Sequence, residues 1–268
     1  MTPATGQRAF REEYGAHRAA EGRALDRAAL MQVPYVKTGA FARQWAVRAR
    51  TYDAFMRRVL APAACEASRP LRVLDLGAGS GWLSWRVTLA GHHAVAVDLR
   101  DDAVDGLAAS TMYLEGGTSM FERVVATFES LPLASAQFDV VVFNASVHYA
   151  LDLAAVLAEA GRMCRGGGRM AILDSPFYAR AEDGERMVDE KQRTASSRFG
   201  ARAAALMSLP FIEYLTRDRL AAASTAQGLN WRRHRVRYPL WYELRPAVAR
   251  LRRQRRPSRF DVWEAIVT

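Results

Sequence analysis

Cysteine is nearly absent. The 268-residue chain has two, Cys65 and Cys164, far apart and without metal-ligand spacing. That excludes a disulfide framework and a paired-cysteine zinc site, and it points to a reducing cytoplasmic setting. Lysine is equally scarce: Lys37 and Lys191 are the only lysines among 38 basic residues. Long apolar runs are missing too. The longest, from Val140 to Leu157, is broken by Asn144, His148 and Asp152, which argues against membrane insertion. The first thirty residues carry charge throughout and lack the apolar core of a signal peptide. No repeat or low-complexity tract is visible. What is present is ordinary for one large globular domain with a helical appendage, half of its residues being apolar and 25% charged.

The net charge of +10 is mostly arginine and is concentrated toward the C-terminus. Arginine and alanine richness together are also what GC-rich coding produces. The charge leaves room for nucleic acid, an acidic surface or an anionic substrate. The run Arg250, Arg252, Arg253, Arg255 and Arg256 has no interleaved aromatics, so it lacks the stacking platforms of a single-strand binding groove.

Against this background one decapeptide stands out, Val73-Leu74-Asp75-Leu76-Gly77-Ala78-Gly79-Ser80-Gly81-Trp82. It reads as a buried strand turning sharply into a helix, with glycines admitting positive φ and close ligand approach. The free N–H groups of a helix N-terminus lie at the same place. Seventeen residues after Gly81 the apolar run Ala94–Val97 ends in Asp98, a carboxylate placed for two ribose hydroxyls. Turn and acid together describe a nucleoside-binding site. A dinucleotide fingerprint requires a small residue where Trp82 stands, and no Gly-Lys-Ser/Thr follows for a P-loop.

The flanking pattern predicts charged helix over 8–31, a break at Val33-Pro34-Tyr35, and an amphipathic helix from Ala40 to Leu60. The apolar face of that helix would comprise Phe41, Trp45, Tyr52, Phe55, Met56 and Val59, with Pro62 and Pro70 bracketing the approach to the sheet. Strands are expected at 71–76, 93–98, 122–127, 138–143 and 169–174, and helices near 80–90, 101–114 and 152–164. Gly166-Gly167-Gly168 would end the last of these helices. Helices at 217–228 and 246–255 and strands at 231–238 and 260–267 complete the chain. Such alternation predicts an α/β fold: a Rossmann-like, seven-stranded, mostly parallel sheet with helices on both faces and an N-terminal helical extension. The expected division is 1–68 as a lid-like extension and 69–268 as the sheet domain.

The Asp-x-Gly-x-Gly-x-Gly form with Asp98 at this distance resembles motif I of class I S-adenosylmethionine-dependent methyltransferases. Leu131-Pro132-Leu133 followed by Phe138-Asp139-Val140-Val141 is similar to a passage in small-molecule members related to the quinone-biosynthesis enzymes, as is Gly166-Gly167-Gly168. The resemblance is close from Leu71 to Ile172. It implies S-adenosyl-L-methionine as cofactor, with Gly77, Ala78 and Gly79 under the methionine moiety and Asp75 orienting its ammonium group. Asp98 would hold the ribose and Leu99 would meet the adenine. The adenine amine would be received near Thr127 and Phe128, where the family often has an aspartate, with Glu129 as a substitute. Arg48 is placed to meet the methionine carboxylate.

Ligands of open α/β sheets lie beyond the carboxyl ends of the strands. That points to Asn144 and the residues after it, and to Asp174-Ser175-Pro176-Phe177-Tyr178. Ala145 and Ser146 stand where base-modifying N-methyltransferases carry prolines, which disfavours methylation of a nucleobase amine. His148 is the candidate general base; Tyr149, Asp174 and Tyr178 are candidate acceptor contacts. His92-His93 has no partners at metal-ligand spacing, so no metal site is expected. The expected activity is in-line methyl transfer to an oxygen, nitrogen or carbon of a small molecule, an anionic one suiting the arginine excess. Two alternatives stay open: an RNA methyltransferase and a non-catalytic S-adenosylmethionine-binding subunit.

Overall fold

The computed structural model describes residues 26–114, 120–199 and 209–268. Most of the helix expected over 8–31 lies outside them; within them α1 (Arg27–Gln32) starts from an Asp26 cap whose side chain accepts the Ala29 N–H. Helix α2 (Ala42–Phe55) buries Val47, Thr51, Tyr52, Ala54 and Phe55 on one face. It continues through a π-helical turn, Met56–Leu60, into α3 (Ala61–Ala67). Pro62 therefore does not stop the helix as expected: it sits in the first turn of α3, where its missing N–H is no loss.

Seven strands form one sheet in the order β3-β2-β1-β4-β5-β7-β6. They are β1 (Arg72–Leu76), β2 (His93–Asp98), β3 (Glu122–Val125), β4 (Phe138–Asn144), β5 (Cys164–Leu173), β6 (Arg232–His234) and β7 (Val262–Ile266). The first five run parallel, and β7 pairs antiparallel with both β5 and β6. Every residue of β4 is buried, as its unbroken apolar run requires of a central strand. Alternate residues feed two cores. Val140 and Val142 join the N-terminal helices on one face; Val141 and Phe143 join α5 (Leu153–Met163) on the other.

Where strands and helices differ from expectation, side chains have taken over backbone partners. Residues 101–114 give only a 3-10 helix, Leu107–Tyr113, because the Asp102 carboxylate accepts the N–H groups of Val104 and Asp105. Such local bonds compete with helix. Strand β6 is three residues long because the N–H groups beyond it go to Asp261 at Val236 and to Glu243 at Tyr238. The Gly166–Gly168 stretch lies within β5 rather than ahead of it: Cys164 pairs with Phe138, and a bulge precedes Val140↔Arg169. The C-terminal segment contributes α7 (Arg217–Ser224), α8 (Leu240–Glu243) and α9 (Arg245–Leu251), preceded by the long α6 (Ala181–Phe199). No helix among the described residues is long and apolar enough to cross a membrane.

Candidate functional site

The glycine turn is built by the end of β2. The N–H groups of Gly77 and Ala78 both donate to the Val97 carbonyl, at 2.8 and 2.9 Å. The next N–H, from Gly79, donates to Asp98 Oδ2 at 2.8 Å, while Asp98 Oδ1 accepts the Arg100 N–H at 2.8 Å. Turn and acid are therefore one hydrogen-bonded unit. Gly77 and Gly79 have φ of 75° and 56°, and a Cβ on Gly77 would collide with the Ser146 side chain. Their bare backbone forms a cradle at the carboxyl edge of the sheet. Burial pushes the Asp98 carboxyl up, opposed by the Arg100 and Gly79 N–H groups.

The first helix after the turn, α4 (Trp82–Leu89), begins with a buried indole. Trp82 meets Trp45 and Tyr52 edge to face, at 6.0 and 5.8 Å between ring centroids. This aromatic stack joins the turn to α2.

A cavity of about 420 Å³ opens over the turn. Its wall takes Leu30, Gln44, Trp45 and Arg48 from the N-terminal helices, and Gly77, Ala78, Gly79, Asp98 and Leu99 from the first two strand ends. Thr127, Phe128 and Glu129 follow β3, Asn144, His148 and Tyr149 come from β4 onward, and Asp174 ends β5. Thr127 reaches the wall because β3 stops at Val125 and Thr127 bridges to Ser130 in a tight loop.

Two predicted positions need correcting. Asp75 is buried behind the turn, not on the cavity wall: its Oδ2 accepts the Ser84 hydroxyl at 2.9 Å. Burial, opposed by Ser84, raises its carboxyl to about 7. Tyr178 is also outside the lining. Its hydroxyl receives Arg255 at 3.1 Å and its ring packs edge to face on Tyr214, because β5 hands the chain away from the cavity at Pro176.

The far end of the cavity has a different character. Asn144 Oδ1 and Asp174 Oδ1 are buried without a hydrogen-bond partner among the described residues. Ala145 and Asp174, each following the end of its strand, have φ of 58° and 49°. Aspartate enters this region readily, whereas alanine does so at a cost, so Ala145 is the strained position of the two. Asp174 is raised to about 6 by burial, against the pull of Arg48. His148 is pushed down to about 3 by burial first, then by Lys191 and Arg48. Its Nδ1 lies 3.4 Å from Ser175 Oγ, a long contact. An imidazole held that low is a poor proton acceptor.

Sequence reasoning missed Leu209, Phe211 and Phe260 on the wall. Phe211 arrives by non-local bonds: Ile212 N–H donates to Ala150 O, and the ring meets Tyr149 edge to face at 5.5 Å. No local pattern in 209–212 announces that approach.

Residues 74–172 match the family model described as a methyltransferase domain. The malonyl-[acyl-carrier protein] O-methyltransferase of Erwinia pyrifoliae is 33% identical over 130 residues, which are 46% of this chain and 46% of that protein. The chain thus aligns with less than half the length of this relative. Two solved structures share the fold. The 1,6-didemethyltoxoflavin-N1-methyltransferase of Burkholderia thailandensis, with bound 1,6-didemethyltoxoflavin and S-adenosylhomocysteine, has a TM-score of 0.51 and 19% identity. That likeness covers 90% of this chain and 88% of the other. Geranyl diphosphate C-methyltransferase of Streptomyces coelicolor A3(2), with Mg2+, geranyl diphosphate and S-adenosyl-L-homocysteine, has a TM-score of 0.52 and 14% identity, covering 91% and 86%. Residues 74–172 thus carry the pattern of a methyltransferase domain, and strand order and glycine turn give the chain the fold of the solved S-adenosylmethionine-dependent methyltransferases.

Proposed function

We propose that this chain transfers the methyl group of S-adenosylmethionine to a small anionic acceptor, most simply a carboxylate, in the cavity over the glycine turn. The observation that carries the reading is one continuous cavity with two unlike ends. One end is a bare glycine cradle locked to Asp98; the other holds unpartnered buried oxygens beside Arg48.

The residues fit the cofactor. The Gly77–Gly79 backbone leaves room that a Cβ would fill, and Asp98 has lone pairs left for ribose hydroxyls. Asn144 Oδ1 lacks a donor, which an ammonium group would provide. Thr127 and Phe128 flank the adenine end, and α1–α2, with Trp45 and Arg48, serve as the lid. When bound, the cofactor supplies an already electrophilic methyl group. The chain's task is therefore alignment and exclusion of water, which removes roughly 7–11 kcal/mol of barrier in well-aligned systems.

The acceptor class follows from electrostatics. Burial is the main cause of the low His148 value and favours no charge, but Arg48 on the same wall acts on both His148 and Asp174 and favours an anion beside it. An acceptor that arrives ionised needs no base. A value of about 6 leaves Asp174 mostly ionised at neutral pH; an adjacent negative charge raises it further, and in its protonated form it donates a hydrogen bond to the acceptor. The name of the malonyl O-methyltransferase relative supports an oxygen acceptor. His148 and Tyr149 then shape the acceptor end without proton transfer.

The test is methyl transfer from labelled S-adenosylmethionine to matched panels of carboxylates, phenols and amines. Turnover confined to carboxylates is expected. Turnover only with phenols or amines would overturn the acceptor assignment, and turnover on RNA would overturn the small-molecule reading.

A further inference from the structure

Away from the cavity, α8 and α9 carry an apolar ridge that nothing in the described fold covers. Leu240, Leu244 and Leu251 are 79%, 55% and 86% exposed, and Trp241 and Val248 are 40% and 43% exposed. Leu244, Val248 and Leu251 follow i, i+4, i+7 spacing, which places them on one helix face. Between Leu244 and Phe260 there is no acidic residue, whereas arginine stands at 245, 250, 252, 253, 255, 256 and 259.

Beside the ridge, α6 and α9 enclose a second cavity of about 880 Å³. Trp241 and Val248 belong to both the ridge and this cavity. Arg186, Arg193, Arg245, Arg253 and Arg255 line it against only Asp189 and Glu190. Glu190 is engaged by Arg255 at 2.8 Å, and Arg245 is held over the Tyr242 ring at 3.6 Å from its centroid. Arg186, Arg193 and Arg253 make no ion pair among the described residues. Protruding leucines and a half-exposed tryptophan, rimmed by arginines, match an interfacial helix facing anionic headgroups.

We infer that the α8–α9 face docks peripherally on an anionic phospholipid surface, with Leu240, Leu244 and Leu251 in the acyl boundary and the arginine-lined cavity taking headgroup phosphates. Charge complementarity selects an anionic surface, and the protruding leucines select one with an accessible apolar layer. Arg43 lies over the Trp241 ring at 5.7 Å, and its neighbours Gln44 and Trp45 line the methyl-transfer cavity. Helix α2 thus joins the docking face to the cavity.

The test is co-sedimentation of the full chain with phosphatidylglycerol–phosphatidylcholine vesicles and with phosphatidylcholine vesicles alone. The wild type is expected to pellet with the first and not with the second. Leu240→Ser/Leu244→Ser/Leu251→Ser should lower vesicle affinity at least roughly tenfold. Arg250→Gln/Arg252→Gln/Arg253→Gln should lower it roughly a hundredfold. Both variants alter exposed side chains, and melting temperatures within a few degrees of wild type should accompany these losses. Pelleting with neither vesicle, equal pelleting with both, or unchanged pelleting of the leucine variant would overturn the inference. The last result would leave a purely cationic surface of the kind that takes RNA or an acidic protein.

Discussion

The two ends of the central cavity solve opposite problems. At the glycine end the N–H groups of the turn are already bonded, Gly77 and Ala78 to Val97 and Gly79 to Asp98, and the one unpartnered oxygen nearby, Asp75 Oδ1, lies behind the turn rather than on the cavity wall. At the β4–β5 end Asn144 and Asp174 each keep one buried oxygen without a donor among the described residues, on or beside backbone in left-handed geometry. A pre-bonded cradle fixes ligand geometry at little reorganisation cost, whereas unpaired buried acceptors are stable only until something better matched arrives. On the proposed reading the first end receives the cofactor, Asn144 faces its ammonium group, and Asp174 with Arg48 selects the acceptor.

The difference can be broken most severely at Asp98. Asp98→Ala removes the acceptor of the Gly79 and Arg100 N–H groups as well as the two proposed ribose contacts. Loss of roughly 100-fold or more in S-adenosylhomocysteine affinity is expected from two charge-assisted hydrogen bonds. Gly77→Ala should come next, because both φ of 75° and the Ser146 side chain oppose a Cβ. A stability loss of about 2–4 kcal/mol is expected by chemical denaturation. Adding Ser146→Gly should return only part of it, since the clash is relieved and the strained φ is not.

Asp174→Asn sharpens the comparison at the other end. A carboxyl raised from 3.8 to about 6 contributes stability fully present below 3.8 and lost as pH rises through 6. The amide should therefore leave the protein unchanged near pH 4 and stabilise it at pH 8, by at most ~3 kcal/mol. Its melting temperature should be flatter across that window than that of the wild type. Acceptor KM should be retained, because the amide still donates a hydrogen bond, whereas Asp174→Ala should raise it. The smallest effect is expected at His148. A group held near 3 is neutral at working pH and transfers no proton. His148→Gln should lower kcat less than roughly tenfold, against the 10²–10⁴-fold loss that removal of a general base brings.

Legibility in the sequence divided along the same line. Strands β1, β2 and β4 were readable to within a residue or so because apolar runs, glycines and terminal polar residues mark them locally. The cradle and Asp98 were readable for the same reason. The acceptor end depends on Phe211, Phe260 and the N-terminal helices meeting across the fold, and no short window encodes that. Tyr178 misled because proximity in sequence to Asp174 says nothing of direction once Pro176 turns the chain. Helix 101–114 misled because Asp102 diverts the backbone donors a helix would have used.

The central claim is that the glycine cradle and Asp98 together form an S-adenosylmethionine site. Calorimetric titration with S-adenosylhomocysteine, comparing the wild type and Asp98→Ala with NAD⁺ as control, tests it most directly. The account predicts saturable binding by the wild type, near-abolition in the variant, and silence from NAD⁺. Equal affinity in the two proteins, or binding of NAD⁺ alone, would contradict it.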